Sequence, residues 1–494
     1  MASQLLATKS IDELHAQEAS SSELRRTLTA TQLTLLGIGG IIGTGIFVLT
    51  GTAAANHAGP ALPLSFIIAG IGCTLAALCY AEFAAMIPVS GSAYSYSYAT
   101  LGEGIAWFIG WNLVLEYLFA VATVSVGWSG YAISLLDQLG IHVPAALSHA
   151  PLDSVGDGLH LVRTGAIINL PAIAIVAAIA TICYIGIRES ATFNAVIVTI
   201  KVTVVVLFIL FGVSFINTAN WHPYIPANSG HTGTFGWSGV LAASGVIFFA
   251  YIGFDAISTA AQETKNPQRD MPIGILASLI VCTVLYVIVA AVLTGMVSYK
   301  QLDVAAPVAL ALDKYAALHW LGLPVKLGAV AGMTSVMLVM TIAQARIFFA
   351  MARDGLLPPF FGHVHPKFRT PSTGTVITGI AAALVGGLFP VKVLAEVVSI
   401  GTLAAFVTVC IGVLVLRRTR PDLRRPFRTP LPWFTCLGGA AVCALMMYSL
   451  GGPTWWRLFW WTVIGVLIYG FYGYRHSRLR ASANGVAANP SPAR

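Results

Sequence analysis

Nine residues early in the chain, Gly37-Ile38-Gly39-Gly40-Ile41-Ile42-Gly43-Thr44-Gly45, include five glycines. Each glycine costs a helix about 1 kcal/mol relative to alanine, so an unbroken helix is poorly supported there. Gly39 and Gly43 fit a GxxxG packing face. A dinucleotide loop fails: Ile42 stands where the third glycine of GxGxxG belongs, and no strand–helix context surrounds it. The remaining reading is an unwound stretch inside a membrane, whose freed amides and carbonyls must line a cavity or meet a ligand. A second stretch, Phe248-Phe249-Ala250-Tyr251-Ile252-Gly253-Phe254-Asp255, sets a glycine, an acid and aromatics in mid-run. A half-helix N-terminus suits a carboxylate, and freed carbonyls suit an ammonium. Together the two breaks match a zwitterionic α-amino acid. On this reading Thr44 and Gly45 offer amides to the carboxylate. The carbonyls of Ile41, Phe249 and Ile252 receive the ammonium. Gly43, Ala250 and Gly253 complete the substrate-binding set, the glycines letting the ligand approach the backbone.

Ionisable residues within apolar runs are costly and mark functional sites. Lys201 lies about nine residues past Thr192, too deep to snorkel at roughly 1.5 Å per residue. Burial penalises its charged form, so it can gain and lose a proton during a cycle; the plainer reading is a static counter-charge. Glu116, in Trp111-Asn112-Leu113-Val114-Leu115-Glu116-Tyr117, either faces the pocket as a gate or pairs structurally. Asp255 follows the second break and could support the half-helix after it. Met333 either fills core or limits long substrate side chains. Glu82, Glu263, Arg346 and Arg353 fall near run ends, where structural or topological roles are the default.

The elements that position these residues follow from composition. Of 494 residues, 57% are hydrophobic and only 9% charged. A soluble surface needs roughly 25% charged residues, so this is an all-α integral membrane protein, not a soluble enzyme or a disordered chain. Twelve apolar segments are long enough to span, at 33–55, 61–86, 104–135, 165–185, 192–216, 236–260, 272–296, 326–350, 372–390, 393–416, 431–450 and 455–474. They are long and continuous rather than alternating, which excludes a β-barrel. With both termini on one side, 20 of the 27 basic residues share that side and six lie opposite. By the positive-inside rule both termini are cytoplasmic. The same rule accounts for the net charge of +8 without nucleic acid. The arginine-rich stretch 417–428 reads as a cytoplasmic loop touching anionic lipid. The seven cysteines lie in apolar runs without metal spacing and read as buried hydrophobes.

The broken segments are the first and sixth, corresponding positions if segments 1–5 and 6–10 are inverted halves, the arrangement that points to a transporter site. The expected organisation is a cytoplasmic segment 1–32, a transporter domain 33–474 and a disordered tail 475–494. Within the domain the repeats cover 33–216 and 236–416, with two extra helices over 431–474.

Four stretches, 37–47 (GIGGIIGTGIF), 88–94 (PVSGSAY), 248–272 (FFAYIGFDAISTAAQETKNPQRDMP) and 346–358 (RIFFAMARDGLLP), make the chain resemble the amino acid–polyamine–organocation transporters. Within them it is similar to the cationic amino acid transporter branch and its bacterial homologues. The resemblance implies a LeuT-type fold of about twelve helices and alternating access. It implies a site between broken helices 1 and 6, with contributions from helices 3 and 8. It also implies a lysine, here Lys201, in place of a sodium ion, proton coupling, and an aromatic, here Phe249, closing over the substrate. Mammalian members of the cationic branch have fourteen spans, and Met333 is bulkier than a long cationic side chain would want. The expected activity is therefore proton-coupled uptake of small neutral amino acids such as alanine. Alternatives are cationic amino acid transport, exchange, or a non-transporting sensor, which would want a signalling domain. No HExxH, GxSxG or P-loop supports an enzyme. No cofactor or metal is expected beyond the coupling proton. The expected partners are the amino acid and membrane lipid, the expected state is a monomer in the cell membrane, and no accessory subunit is identified.

Overall fold

The computed structural model describes residues 7–9, 28–87, 92–155, 160–186 and 191–483. The segments expected over 1–32 and 475–494 are thus described only in part. Arg188 and the first four residues of the 88–94 motif lie outside the described residues.

Apolar residues carried on largely helical backbone give eight stretches long and apolar enough to cross a membrane among the described residues. They are Gly45–Met86, Glu103–Gln138, Asn194–Phe215, Gly236–Ala261, Pro267–Met296, Ala316–Arg353, Val391–Thr419 and Pro432–Ser449. Three shorter apolar helices, Ala30–Ile41, Leu170–Ile185 and Ser372–Leu388, occupy segments 1, 4 and 9. Gly452–Ile468 occupies segment 12. Eight rather than twelve long spans has a physical origin. Segment 1 is divided by its break. Its second half runs into segment 2 through a turn at Gly59, whose φ of +59° suits glycine. Segments 4 and 9 have only 16 and 17 helical residues, about 25 Å of rise.

Outside these helices lie a short helix Ser92–Thr100, a second at Pro307–Asp313, and a hairpin pairing Leu152–Val155 with His160–Arg163. The first half of segment 1 packs against segments 5, 7 and 8, segment 3 against segments 8 and 10, and segment 2 against segments 7 and 11. All seven cysteines are free and buried.

The acids near run ends make ion pairs. Buried Glu82 takes Arg417 (2.5 Å) and Arg425 (3.4 Å), and its Oε2 accepts the Thr429 amide (2.8 Å), fixing the arginine-rich loop to the end of segment 2. Glu263 pairs with Arg346 at 3.4 Å. Of the tail, the described residues form short helices over Tyr474–His476 and Arg478–Ala483, where Ser477 and Arg480 meet a buried carboxylate, Glu103; residues 484–494 lie outside the described residues.

Candidate functional site

The glycine stretch divides between the two readings open to it. Through Ile41 the backbone stays helical, and Ile42 closes that helix with its amide on the Ile38 carbonyl (3.0 Å). There the glycines serve packing: Gly37 lies against Ile257 and Ser278, and Gly39 against Asn194 and Val198. Residues 42 and 43 interrupt the helix, and from Thr44 a wider π-type turn, Gly45–Leu49, resumes it. Segment 6 is helical over Gly236–Ile247, tightens over Phe248–Tyr251, and turns extended at Ile252 (ψ 136°). It crosses Gly253 at φ +121° and resumes as the 3-10 helix Asp255–Glu263.

The breaks face each other. A Cβ on Gly45 would overlap Ala250, and one on Gly253 would stand 2.7 Å from the Gly40 carbonyl oxygen. Between them lies a narrow cavity. Gly40, Ile41, Gly43, Thr44 and Gly45 line it from segment 1, and Phe249 and Ile252 from segment 6. Ala120 and Val124 of segment 3 and Val336 and Met340 of segment 8 form its apolar wall. Among the described residues no charged side chain lines it. The arrangement offers backbone polar groups at one end and aliphatic surface at the other.

Lys201, fully buried, reaches the first break from segment 5. Its Nζ donates to the carbonyls of Gly39 (2.5 Å) and Ile42 (3.1 Å), on either side of Ile41. An ammonium satisfying two carbonyls at a helix break replaces bonds the helix has lost.

Ile41, Gly43, Thr44, Gly45, Phe249 and Ile252 come together as cavity lining; Ala250 and Gly253 stand behind it as the backbone contacts of Gly45 and Gly40. Two carbonyls assigned to an ammonium have internal partners. Ile41 accepts from the Tyr286 hydroxyl (2.9 Å) and Phe249 from the Ile252 amide (3.2 Å). The Thr44 hydroxyl donates to Met333 Sδ (3.2 Å) and the Val124 carbonyl (3.4 Å). Met333 is therefore behind Thr44 rather than in the lining; Val336 and Met340, three and seven residues on, hold that place. Glu116 is also outside the lining. It is fully buried beside Asp255 and Thr402. Asp255 in turn accepts from the Tyr117 hydroxyl at 2.7 Å, which fixes the half-helix following the break.

Gly40, Ala120, Val124, Val336 and Met340 escaped the sequence reading. Helical spacing carries a signal for three of them: Ala120 is four residues past Glu116, and Val336 and Met340 share a helix face with Met333.

Residues 28–469 match the amino acid permease family. The chain is 48% identical over 477 residues to the methylthioribose transporter of Bacillus subtilis (strain 168), spanning 97% of this chain and 99% of that one. It is 48% identical over 474 residues to the branched-chain amino acid permease of the same organism, spanning 95% and 98%. It is 39% identical over 422 residues to the vacuolar cationic amino acid transporter 4 of Arabidopsis thaliana, spanning 85% and 68%.

Proposed function

The chain belongs to the amino acid permease family of multi-pass membrane transporters, within the amino acid–polyamine–organocation superfamily, and on that premise we propose that it takes up small neutral L-amino acids, alanine among them, together with a proton. The observation that carries this reading is the cavity itself. Its polar surface is the backbone of two facing helix breaks, and Ala120, Val124, Val336 and Met340 wall it with apolar side chains beside Phe249 and Ile252. A zwitterion with a short aliphatic side chain matches both ends. An arginine or lysine side chain would be buried without a counter-charge, a cost of several kcal/mol.

The transport cycle in this proposal is alternating access in a LeuT-type arrangement of twelve helices, the two five-helix halves over 33–216 and 236–416 rocking about the site. Lys201 exchanges the coupling proton. Its loss of charge would weaken its bonds to the Gly39 and Ile42 carbonyls and ease movement of the first half of segment 1. Residence in the cell membrane and a monomeric state belong to the same proposal, as does a cytoplasmic location of both termini, which rests on the basic-residue asymmetry.

A branched aliphatic side chain is the second reading, suggested by the branched-chain amino acid permease relative. A methylthio group is a third, suggested by the methylthioribose transporter relative. A competition panel separates these. Labelled alanine uptake into liposomes should be inhibited strongly by alanine and valine, and weakly by arginine and methylthioribose. Arginine competing as well as alanine would replace the proposal with a cationic transporter. Methylthioribose competing alone would remove the amino acid assignment. Met340 sets the size limit here. Met340→Ala should improve leucine competition relative to alanine by about tenfold, the usual worth of space for one or two methylenes. An unchanged ratio would take Met340 out of the side-chain wall.

A further inference from the structure

Glu103 opens the helix Glu103–Gln138, which carries Ala120 and Val124 to the cavity. It is fully buried. Its carboxylate accepts from the hydroxyls of Tyr98 (2.9 Å), Tyr469 (2.8 Å) and Ser477, and pairs with Arg480 at 2.9 Å. Arg480 also donates to the Tyr469 hydroxyl (2.7 Å) and stacks 3.9 Å over the Tyr474 ring. Three of the four donors therefore come from residues 469–480, more than 360 residues away in sequence.

The same stretch holds the end of segment 8, the helix that brings Val336 and Met340 to the cavity. The Arg478 amide donates to the Asp354 carbonyl (3.1 Å). Gly355, at φ +80°, lies so close to the His476 carbonyl that no side chain fits. Asp354 itself takes Lys9 (2.6 Å) and the Tyr94 hydroxyl (2.8 Å). One short C-terminal strap thus joins the start of segment 3 to the end of segment 8 on the side of the membrane where both termini lie.

We propose that residues 469–480 form a releasable strap that keeps the terminus side of the cavity shut. The proposal rests on the alternating-access reading. Segments 3 and 8 pack along each other and supply the apolar wall, so a path from the cavity to that side needs their ends to part. The strap opposes this with a charge-assisted bond to a buried carboxylate, worth more than a neutral one. Release exposes Glu103 to water, which compensates its lost donors, so the lock is reversible.

The test reads accessibility and needs no substrate. Gln344, fully buried and four residues beyond Met340 toward the strapped end, is replaced by cysteine in the full chain. The seven native cysteines, all buried, set the baseline from the parental chain. A membrane-impermeant maleimide is applied from the terminus side. Combining Gln344→Cys with Ser477→Ala and Arg480→Ala should speed labelling about tenfold, the factor for loss of one charged hydrogen bond. Arg480→Lys should restore most of the protection. Unchanged labelling in a chain that elutes as a monodisperse species would overturn the strap. If the double substitution does not purify in that form, Glu103→Gln, which keeps the shape and removes the charge, carries the same two outcomes. Uptake that fails the pH-gradient test while labelling still responds would remove the coupling reading and leave the strap standing.

Discussion

Replacing Lys201 with alanine is expected to abolish accumulation driven by a pH gradient, a fall of about a hundredfold or more, while substrate exchange across the membrane persists. The lysine Nζ bonds the Gly39 and Ile42 carbonyls at the break in segment 1. Both acceptors are buried, and each unsatisfied buried carbonyl costs about 1–3 kcal/mol. Removing the ammonium therefore biases segment 1 and also removes the group proposed to carry the proton. The two consequences separate experimentally. A purely structural lysine would depress accumulation and exchange together and leave the remaining rate with wild-type pH dependence. A coupling lysine leaves an exchanger indifferent to pH. Measuring both modes in liposomes at several external pH values decides between them. Equal pH dependence in the parental chain and Lys201→Ala would contradict the coupling role.

Gly253→Ala is expected to reduce uptake by about a hundredfold with normal membrane insertion. At φ +121° an L side chain is strained whatever space surrounds it. Here the new methyl would also stand 2.7 Å from the Gly40 carbonyl oxygen. Relief requires the two breaks to separate, and their facing backbones form the polar end of the cavity. The control is Gly452→Ala at the start of segment 12, where a Cβ meets nothing within 4 Å; uptake should be unchanged. Wild-type uptake in Gly253→Ala, at matched protein in the membrane, would show that the contact between segments 1 and 6 does not shape the site.

What could be read from residues alone was set by local chemistry. Five glycines in nine residues point to a break, and a lysine nine residues into an apolar run points to a buried charge; the break borders the cavity, and the lysine bonds the Gly39 and Ile42 carbonyls beside it. The face that each helix turns inward was harder to see. Segment 8 is apolar around most of its circumference, so no periodicity singles out Val336 and Met340 over Met333. Glu116 was legible as a buried acid, but its neighbours Asp255 and Thr402 come from segments 6 and 10, and only the fold brings those together. The tail from 475 carries too few apolar residues to predict order. Its helix depends on one buried carboxylate, Glu103, whose partners are distant in sequence. The break in segment 1 is shorter than the glycine stretch because Gly37 and Gly39 serve close packing, a use that composition does not separate from unwinding.

Proton-coupled uptake of a small neutral amino acid is tested most directly with the purified chain in liposomes, interior at pH 8 and exterior at pH 6, supplied with labelled alanine. Accumulation above the external concentration that collapses on adding a protonophore is the predicted result. Uptake that appears only when the vesicles are preloaded with amino acid, and that ignores the pH gradient, would contradict it and leave Lys201 as a fixed counter-charge in an exchanger.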